Sequence, residues 1–212
     1  MRFDLVLDRL ATLPDPLPGP AQILMPVARD GIERWPPDAA PPERRGRPAG
    51  VLVLLYPDDE GFARVVLTER ASRDGHHSGE VSFPGGKAEP GDADIAATAL
   101  REANEEIALD AEAAGVRIIG LLDRFWIPVS DFEVSPVVAV ATDRPSFTAA
   151  PAEVARIVEP RMERFLPDAP IVIVERTIRD WPLRYGAYDV DGLSVWGATA
   201  RILSQLGAAL DG

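Results

Sequence analysis

The sequence predicts a mixed α/β domain. Two observations predict it. Apolar runs of strand length, bounded by proline and turn residues, recur between residues 49 and 176. Two stretches with apolar residues at helical spacing, 93–107 and 196–210, are set among and after them. Strands with interspersed helices must bury both kinds of apolar face in one layered core.

The elements follow in order. Residues 3–12 read as a short helix with Phe3, Leu5, Val6 and Leu10 on its apolar side. Its stretch also carries acids, so it is expected to be an amphipathic helix and not a secretory leader. Residues 13–49 are dense in proline, which blocks helix interiors, and form an extended or looped arm. The arm is either a linker or a segment lying along the domain. "AGVLVLLYP" (49–57) reads as a buried strand, "DDEG" as a turn, and "FARVVLTER" (62–70) as its hairpin partner. Residues 93–107 read as a helix, 116–123 and 133–142 as strands, and 151–158 as a short helix with proline in its first turn. Residues 169–176 read as a strand, and 196–210 as the closing helix. The division expected is a helix and proline-rich arm over 1–48 and one domain over 49–212.

Composition excludes several functions. The 212 residues contain no cysteine, so disulfides, zinc–thiolate centres and thiol catalysis are absent. No run of about 18 apolar residues exists to span a membrane. A net charge of −12 repels phosphate backbones, so nucleic acid is not an expected partner. An anionic small molecule would need a local cationic pocket or a metal. The expected address is the cytoplasm, and the richness in Arg, Ala and Pro suggests a GC-rich bacterial genome. Lys87 is the single lysine.

The segment "REANEE" (101–106) concentrates charge. On a helix at about 100° per residue, Ala96, Leu100, Ala103 and Ile107 share one side, and Glu102, Glu105 and Glu106 share the other. Like charges so spaced destabilise a helix by a few tenths of a kcal/mol per pair. At about 4 Å and an effective dielectric near 20 the repulsion rises to roughly 4 kcal/mol. Either this is a solvated face, or the carboxylates converge on a cation. The glycines of "FPGGK" (83–87) just upstream let backbone approach an ion or a phosphate. A carbonyl from this turn with two or three glutamates is an all-oxygen set, which suits Mg²⁺ or Mn²⁺.

At these residues the chain resembles the Nudix hydrolases. Gly86, Asp92 and "REANEEIAL" follow the pattern Gly-x5-Glu-x7-Arg-Glu-U-x-Glu-Glu-x-Gly-U, U being apolar, with "FPGG" ahead of it. Three departures stand out: Asp92 replaces Glu, one extra residue precedes Arg101, and Ala108 replaces the glycine that ends the helix. That last change asks the helix to end in another way. Residues 66–86, "VLTERASRDGHHSGEVSFPGG", are similar to the added motif of the coenzyme A diphosphatase branch. Asp74 and Gly75 stand where that motif has Leu-Arg.

The resemblance implies a Nudix α/β/α sandwich with a mixed sheet between the acid helix and the C-terminal helix. It implies metal-dependent hydrolysis of a nucleoside diphosphate derivative, with coenzyme A or an acyl-CoA as substrate. ADP-ribose, NADH or a nucleoside triphosphate is the alternative substrate, and a Nudix-fold binding module without turnover is the alternative class. Glu102, Glu105, Glu106 and the Gly85 carbonyl would hold Mg²⁺ or Mn²⁺, and Arg101 would orient an acid. The general base would be Glu102 or Glu153. Arg70, His77, Gly79, Phe83, Gly86 and Lys87 would meet the substrate. For Arg70 and Lys87 surface charge is the plainer alternative, for His76 and His77 loop structure, and for Phe83 the core. Trp181, Tyr185, Tyr188 and Trp196 would line a pocket or complete the core. A homodimer is compatible with this reading and not required by it.

The missing arginine yields a test. Gly75 cannot meet the 3′-phosphate of coenzyme A, and a charge-assisted contact is worth about 1.5–3 kcal/mol. Losing such a contact costs roughly 10- to 150-fold in binding, so Gly75→Arg should improve kcat/KM for coenzyme A more than for dephospho-coenzyme A, which lacks the 3′-phosphate. Equal effects on both substrates would show that this segment does not read the 3′-phosphate.

Overall fold

The computed structural model describes residues 1–25, 27–28, 46–71, 80–178 and 181–211. Its centre is strand β2 (Arg47–Pro57), an apolar run sealed on both faces: Leu52, Val53, Leu54, Leu55 and Tyr56 have no exposed surface. A short strand β1 (Val27–Ala28) precedes it. After it come β3 (Ala63–Val65), β4 (Leu67–Arg70), β5 (Val81–Ser82) and β6 (Gly85–Lys87). Then follow β7 (Arg117–Leu121), β8 (Phe125–Ile127), β9 (Phe132–Val140) and β10 (Val154–Val158). The last strands are β11 (Val172–Ile178), β12 (Trp181–Val190) and β13 (Leu193–Val195). The α-helices are α1 (Phe3–Leu10), α2 (Ile95–Ile107) and α3 (Gly197–Asp211).

The main sheet runs β3-β2-β9-β7, with β6 beside β2 and β8 beside β9. β2 and β9 are parallel from Arg47↔Phe132 to Leu55↔Val140, and the other pairs are antiparallel. A parallel pair covered on both faces reads as a continuous apolar run, which is why 49–57 shows no alternation. Its side chains still alternate in space. Leu52, Leu54 and Tyr56 join Ala99, Ala103 and Ile107 of α2, while Val53 and Leu55 join Leu203 and Leu206 of α3 and Phe3 and Val6 of α1. The sheet thus lies between α2 and α3, the expected α/β/α sandwich with a mixed sheet.

Two expected elements differ. Residues 62–70 do not form one strand: the chain bends at Val66, β3 stays with β2, and β4 leaves to pair with β10 and β5. Residues 151–158 are not a helix. Residues 151–153 make a turn and Val154–Val158 is a strand paired with β4. Val154, Ile157 and Val158 are β-branched, and β4 offers them an open edge. The spacing also misses β1, β5, β6, β8, β12 and β13, which are short or broken by polar residues, glycine or proline.

The arm is not a free linker over its described part. Leu24 has no exposed surface, Ala21 N donates to Ser204 Oγ (2.8 Å), and Gln205 Nε2 donates to Pro18 O (3.0 Å). β1 pairs with β12. Of the apolar side expected for α1, Phe3, Val6 and Leu10 are buried, but Leu5 is 40% exposed.

Helix α2 starts on a cap, Asp94 accepting from Ala97 N at 2.8 Å. It ends at Ala108 in the left-handed region (φ 52°, ψ 34°), with Ala108 N bonded to Asn104 O and Leu109 N to Ala103 O. No other way of ending the helix is needed: Ala108 adopts the glycine conformation, and Asn104 Nδ2 braces Leu109 O at 3.0 Å. A Cβ there costs about 1 kcal/mol. Ala108→Gly should stabilise the protein by up to about 1 kcal/mol, less the entropy glycine adds to the unfolded chain. Urea unfolding reads this as a raised midpoint at constant slope, and a lowered midpoint would contradict it.

Candidate active site

Helix α2 meets the sheet where side chains are missing. A Cβ on Gly50 would sit 2.6 Å from Ile95 O, one on Gly85 2.6 Å from Val51 Cα, and one on Gly86 2.5 Å from the Glu102 carboxyl carbon. The three glycines let the helix, β2 and β6 approach, and the Glu102 carboxylate lies directly over Gly86.

Arg101 organises the acids around it. Its Nε and Nη2 donate to Asp92 Oδ1 (3.0 Å) and Oδ2 (3.2 Å), its Nη1 to Glu102 Oε1 (3.0 Å) and Glu105 Oε2 (3.2 Å), and its Nη2 also to Lys87 O (3.0 Å). Asp92 accepts further from Thr98 Oγ1 (2.8 Å) and Glu89 N (2.9 Å). The Arg101 guanidinium, with these donors, holds the Asp92 carboxyl well below the usual range. The shorter acid and the extra residue therefore still deliver a carboxylate to Arg101, a bidentate contact of fixed geometry.

The glutamates differ in environment. Glu105 is exposed, while Glu102 and Glu106 are half-buried. Burial pushes the Glu106 carboxyl up to about 7, the Glu102 and Glu153 charges adding to this while Arg70 and the Gly85 N–H oppose it. Burial also raises Glu102, against the lowering by Arg101, with Glu105 and Glu153 adding to the rise. Glu153 precedes β10 in a turn, its N–H bonded to Ala150 O (2.9 Å) and its carbonyl accepting from Ala71 N (2.8 Å). β10 brings Val154 opposite Arg70, at the exposed end of β4.

The structure thus brings together Glu102, Glu105, Glu106, Arg101, Gly85, Gly86, Glu153 and Arg70. Lys87 is exposed, its carbonyl on Arg101. Phe83 is 3% exposed and belongs to the core, a correction to its reading as a substrate contact. Tyr185 stacks on Trp196 (4.7 Å between centroids), and Tyr188 packs edge-on against Phe165 (5.1 Å), so these complete the core. Arg73, Asp74, Gly75, His76, His77 and Gly79 lie outside the described residues, as does the Trp181 side chain. Sequence reasoning missed the segment 148–150, whose amides meet the carbonyls of Glu106 and Ile107. Backbone contacts of this kind carry no sequence signal.

As the side chains stand, no three acidic or histidine groups among the described residues form a metal-holding cluster. Glu102 and Glu105 are both turned to Arg101. The donors nevertheless fit a hard cation in kind: they are all oxygen, two are desolvated, and their mutual repulsion is relieved by positive charge.

Residues 46–168 match the NUDIX domain. The chain is 41% identical over 174 residues to Nudix hydrolase 22, chloroplastic, of Arabidopsis thaliana, and 38% identical over 176 residues to Nudix hydrolase 15, mitochondrial, of the same plant. These matches cover 77% and 79% of the chain but only 55% and 58% of those proteins, so it spans little more than half their length. It is 36% identical over 169 residues to the uncharacterized Nudix hydrolase NudL of Enterobacter sp. strain 638, covering 76% of the chain and 81% of that protein. The chain belongs to the Nudix family.

The buried acid makes the cation-free protein sensitive to pH. Folded Glu106 holds its proton up to about pH 7, against an ordinary value of 4.5. Between these values the folded state binds more protons than the unfolded one, so the penalty from Glu106 fades as pH falls through the window. Glu106→Gln removes the charge. In chelator the variant should exceed wild type at pH 8 by about 1–3 kcal/mol, and the two should converge near pH 4–5. Urea unfolding at both pH values measures this. A variant no more stable than wild type at pH 8 would show that the carboxylate is not strained.

Proposed function

We propose that this protein hydrolyses the diphosphate bond of a nucleoside diphosphate derivative with Mg²⁺ or Mn²⁺, and that coenzyme A or an acyl-CoA is its substrate. The products are adenosine 3′,5′-bisphosphate and 4′-phosphopantetheine, or its acylated form. The observation that carries the reaction class is the half-buried pair Glu102 and Glu106 on one face of α2, with the Glu102 carboxylate lying on Gly86 and the charges of Glu153 and Arg70 acting on Glu106. Family membership supports it, as do relatives named Nudix hydrolases. The coenzyme A reading is supported by the motif over 66–86.

Glu102, Glu105, Glu106 and the Gly85 carbonyl would hold the divalent cation. When bound, it neutralises the diphosphate and makes water a stronger nucleophile at neutral pH. The residues do the rest. Arg101, clamped by Asp92, fixes Glu102 and Glu105 and offsets their repulsion. Arg70 presents a cation to a phosphate oxygen. Glu102 or Glu153 takes the proton of the attacking water. The water oxygen bonds to one phosphorus, and the bond from that same phosphorus to the bridging oxygen breaks. The leaving phosphate departs with the bridging oxygen and its electron pair. We place the reaction in the cytoplasm, with the nucleotide-derived substrate as partner.

A panel of coenzyme A, acyl-CoA, ADP-ribose, NADH and nucleoside triphosphates, with Mg²⁺ and with Mn²⁺, tests the proposal by resolving the products. Adenosine 3′,5′-bisphosphate from coenzyme A is expected. Turnover of ADP-ribose or NADH alone would overturn the coenzyme A reading, and no turnover of any substrate would overturn the enzyme reading. Loss of a general base costs roughly 10²–10⁴-fold in rate. Of Glu102→Gln and Glu153→Gln, the base is the one that loses this factor while cation affinity by titration calorimetry stays at the wild-type value. If both keep the rate, neither is the base.

A further inference from the structure

The chain makes one excursion between Arg144 and Glu159, and its two ends are clasped together. Arg144 Nε and Nη2 donate to Glu159 Oε2 (2.9 Å) and Oε1 (2.6 Å). The Arg144 side chain is 49% exposed, and an ion pair so placed fixes little alone. The group beneath it is different. Tyr56 of β2 has no exposed surface, and its hydroxyl donates to Glu159 Oε2 at 2.7 Å. Arg64 Nη1 donates to the Glu159 carbonyl, and the Tyr56 ring meets that of Phe147 at 5.6 Å. A phenol sealed in the sheet is thus spent on one carboxylate at the base of the excursion.

The tip of the excursion is at the site. Thr148 N and Ala150 N donate to the carbonyls of Ile107 (2.9 Å) and Glu106 (2.8 Å), in the last turn of α2. Three residues on, the Glu153 charge bears on Glu102 and Glu106. The segment therefore has a clasped base, a tip that caps the acid helix, and a catalytic candidate just after the tip.

We propose that Tyr56 is a positioning residue: its buried hydroxyl locks the Arg144–Glu159 clasp, and the clasp holds Glu153 at the carboxyl end of α2. This rests on the functional reading of Glu153 above. Tyr56 cannot act on a substrate itself, because it is closed to solvent. Opening the base would return loop-closure entropy to the tip. A small misplacement of a reacting group lowers the rate of the chemical step more than it lowers substrate binding.

Tyr56→Phe keeps the ring and its packing on Phe147 and removes only the hydroxyl. In the metal-free chain, amide hydrogen exchange at Thr148, Ala150 and Glu153 should speed up by about 10-fold, while the amides of Leu52 and Ala99 keep their wild-type rates. With the substrate found by the panel, kcat should fall about 10-fold and KM should stay within about twofold. In a Glu153→Gln background the same substitution should cost nothing further, since the group being positioned is gone. Unchanged exchange at Thr148 and Ala150 overturns the proposal. So does a full additive loss in the double variant, which would mark Tyr56 as a stabiliser of the core and nothing more. Exchange needs neither metal nor substrate, so it decides the clasp even where the panel finds no turnover. That result would overturn the enzyme reading instead.

Discussion

The site depends on how closely α2 can lie on the sheet. Helix and strand pack side chain to side chain unless something is omitted, and here it is omitted at Gly50, Gly85 and Gly86. The backbone of α2 comes down onto Gly50, β6 onto β2 at Gly85, and the Glu102 carboxylate onto Gly86. Every later feature assumes this approach. It half-buries Glu102 and Glu106, sets the Gly85 N–H toward Glu106, and brings the Lys87 carbonyl to Arg101. A methyl group at any of the three positions would push the acid face away from the strand that completes it.

Such closeness sets an electrostatic problem, and Arg101 is the local answer. The half-buried Glu102 and the exposed Glu105 are held on one guanidinium, itself fixed by Asp92. The arrangement satisfies the fold without satisfying all of the acids. Among the described residues no arginine is hydrogen-bonded to Glu106; the Arg70 charge offsets its burial only in part, and its proton affinity is raised. A desolvated carboxylate beside like charges favours whatever brings positive charge, and that is how a fold can bias its own site toward a cation.

Much of this was legible in the sequence, for physical reasons. The acid face could be read because helical period and charge coincide over six residues, and the glycines because nothing else permits a close approach. The same periodicity failed at residues 151–158. Pro151, Ala152 and Glu153 suit a helix start, but the free edge of β4 decided for a strand. Phe83 could be read either as a platform or as core, since an aromatic beside a glycine turn suits both, and only burial separates them. Tyr56 and Glu159 gave no signal. They are 103 positions apart and meet only because β2 ends where β10 does.

The parallel pairing of β2 with β9 carries a kinetic consequence. Its partners, such as Leu52 and Val137, are separated by the whole of β3–β8 and by α2, which lies inside the crossover. Loop closure over that length has to precede any gain from pairing, and long-range parallel sheets form slowly for this reason. Until β9 arrives, α2 has only half of its apolar bed, with Leu52 and Leu54 in place and Val137 and Ala139 missing.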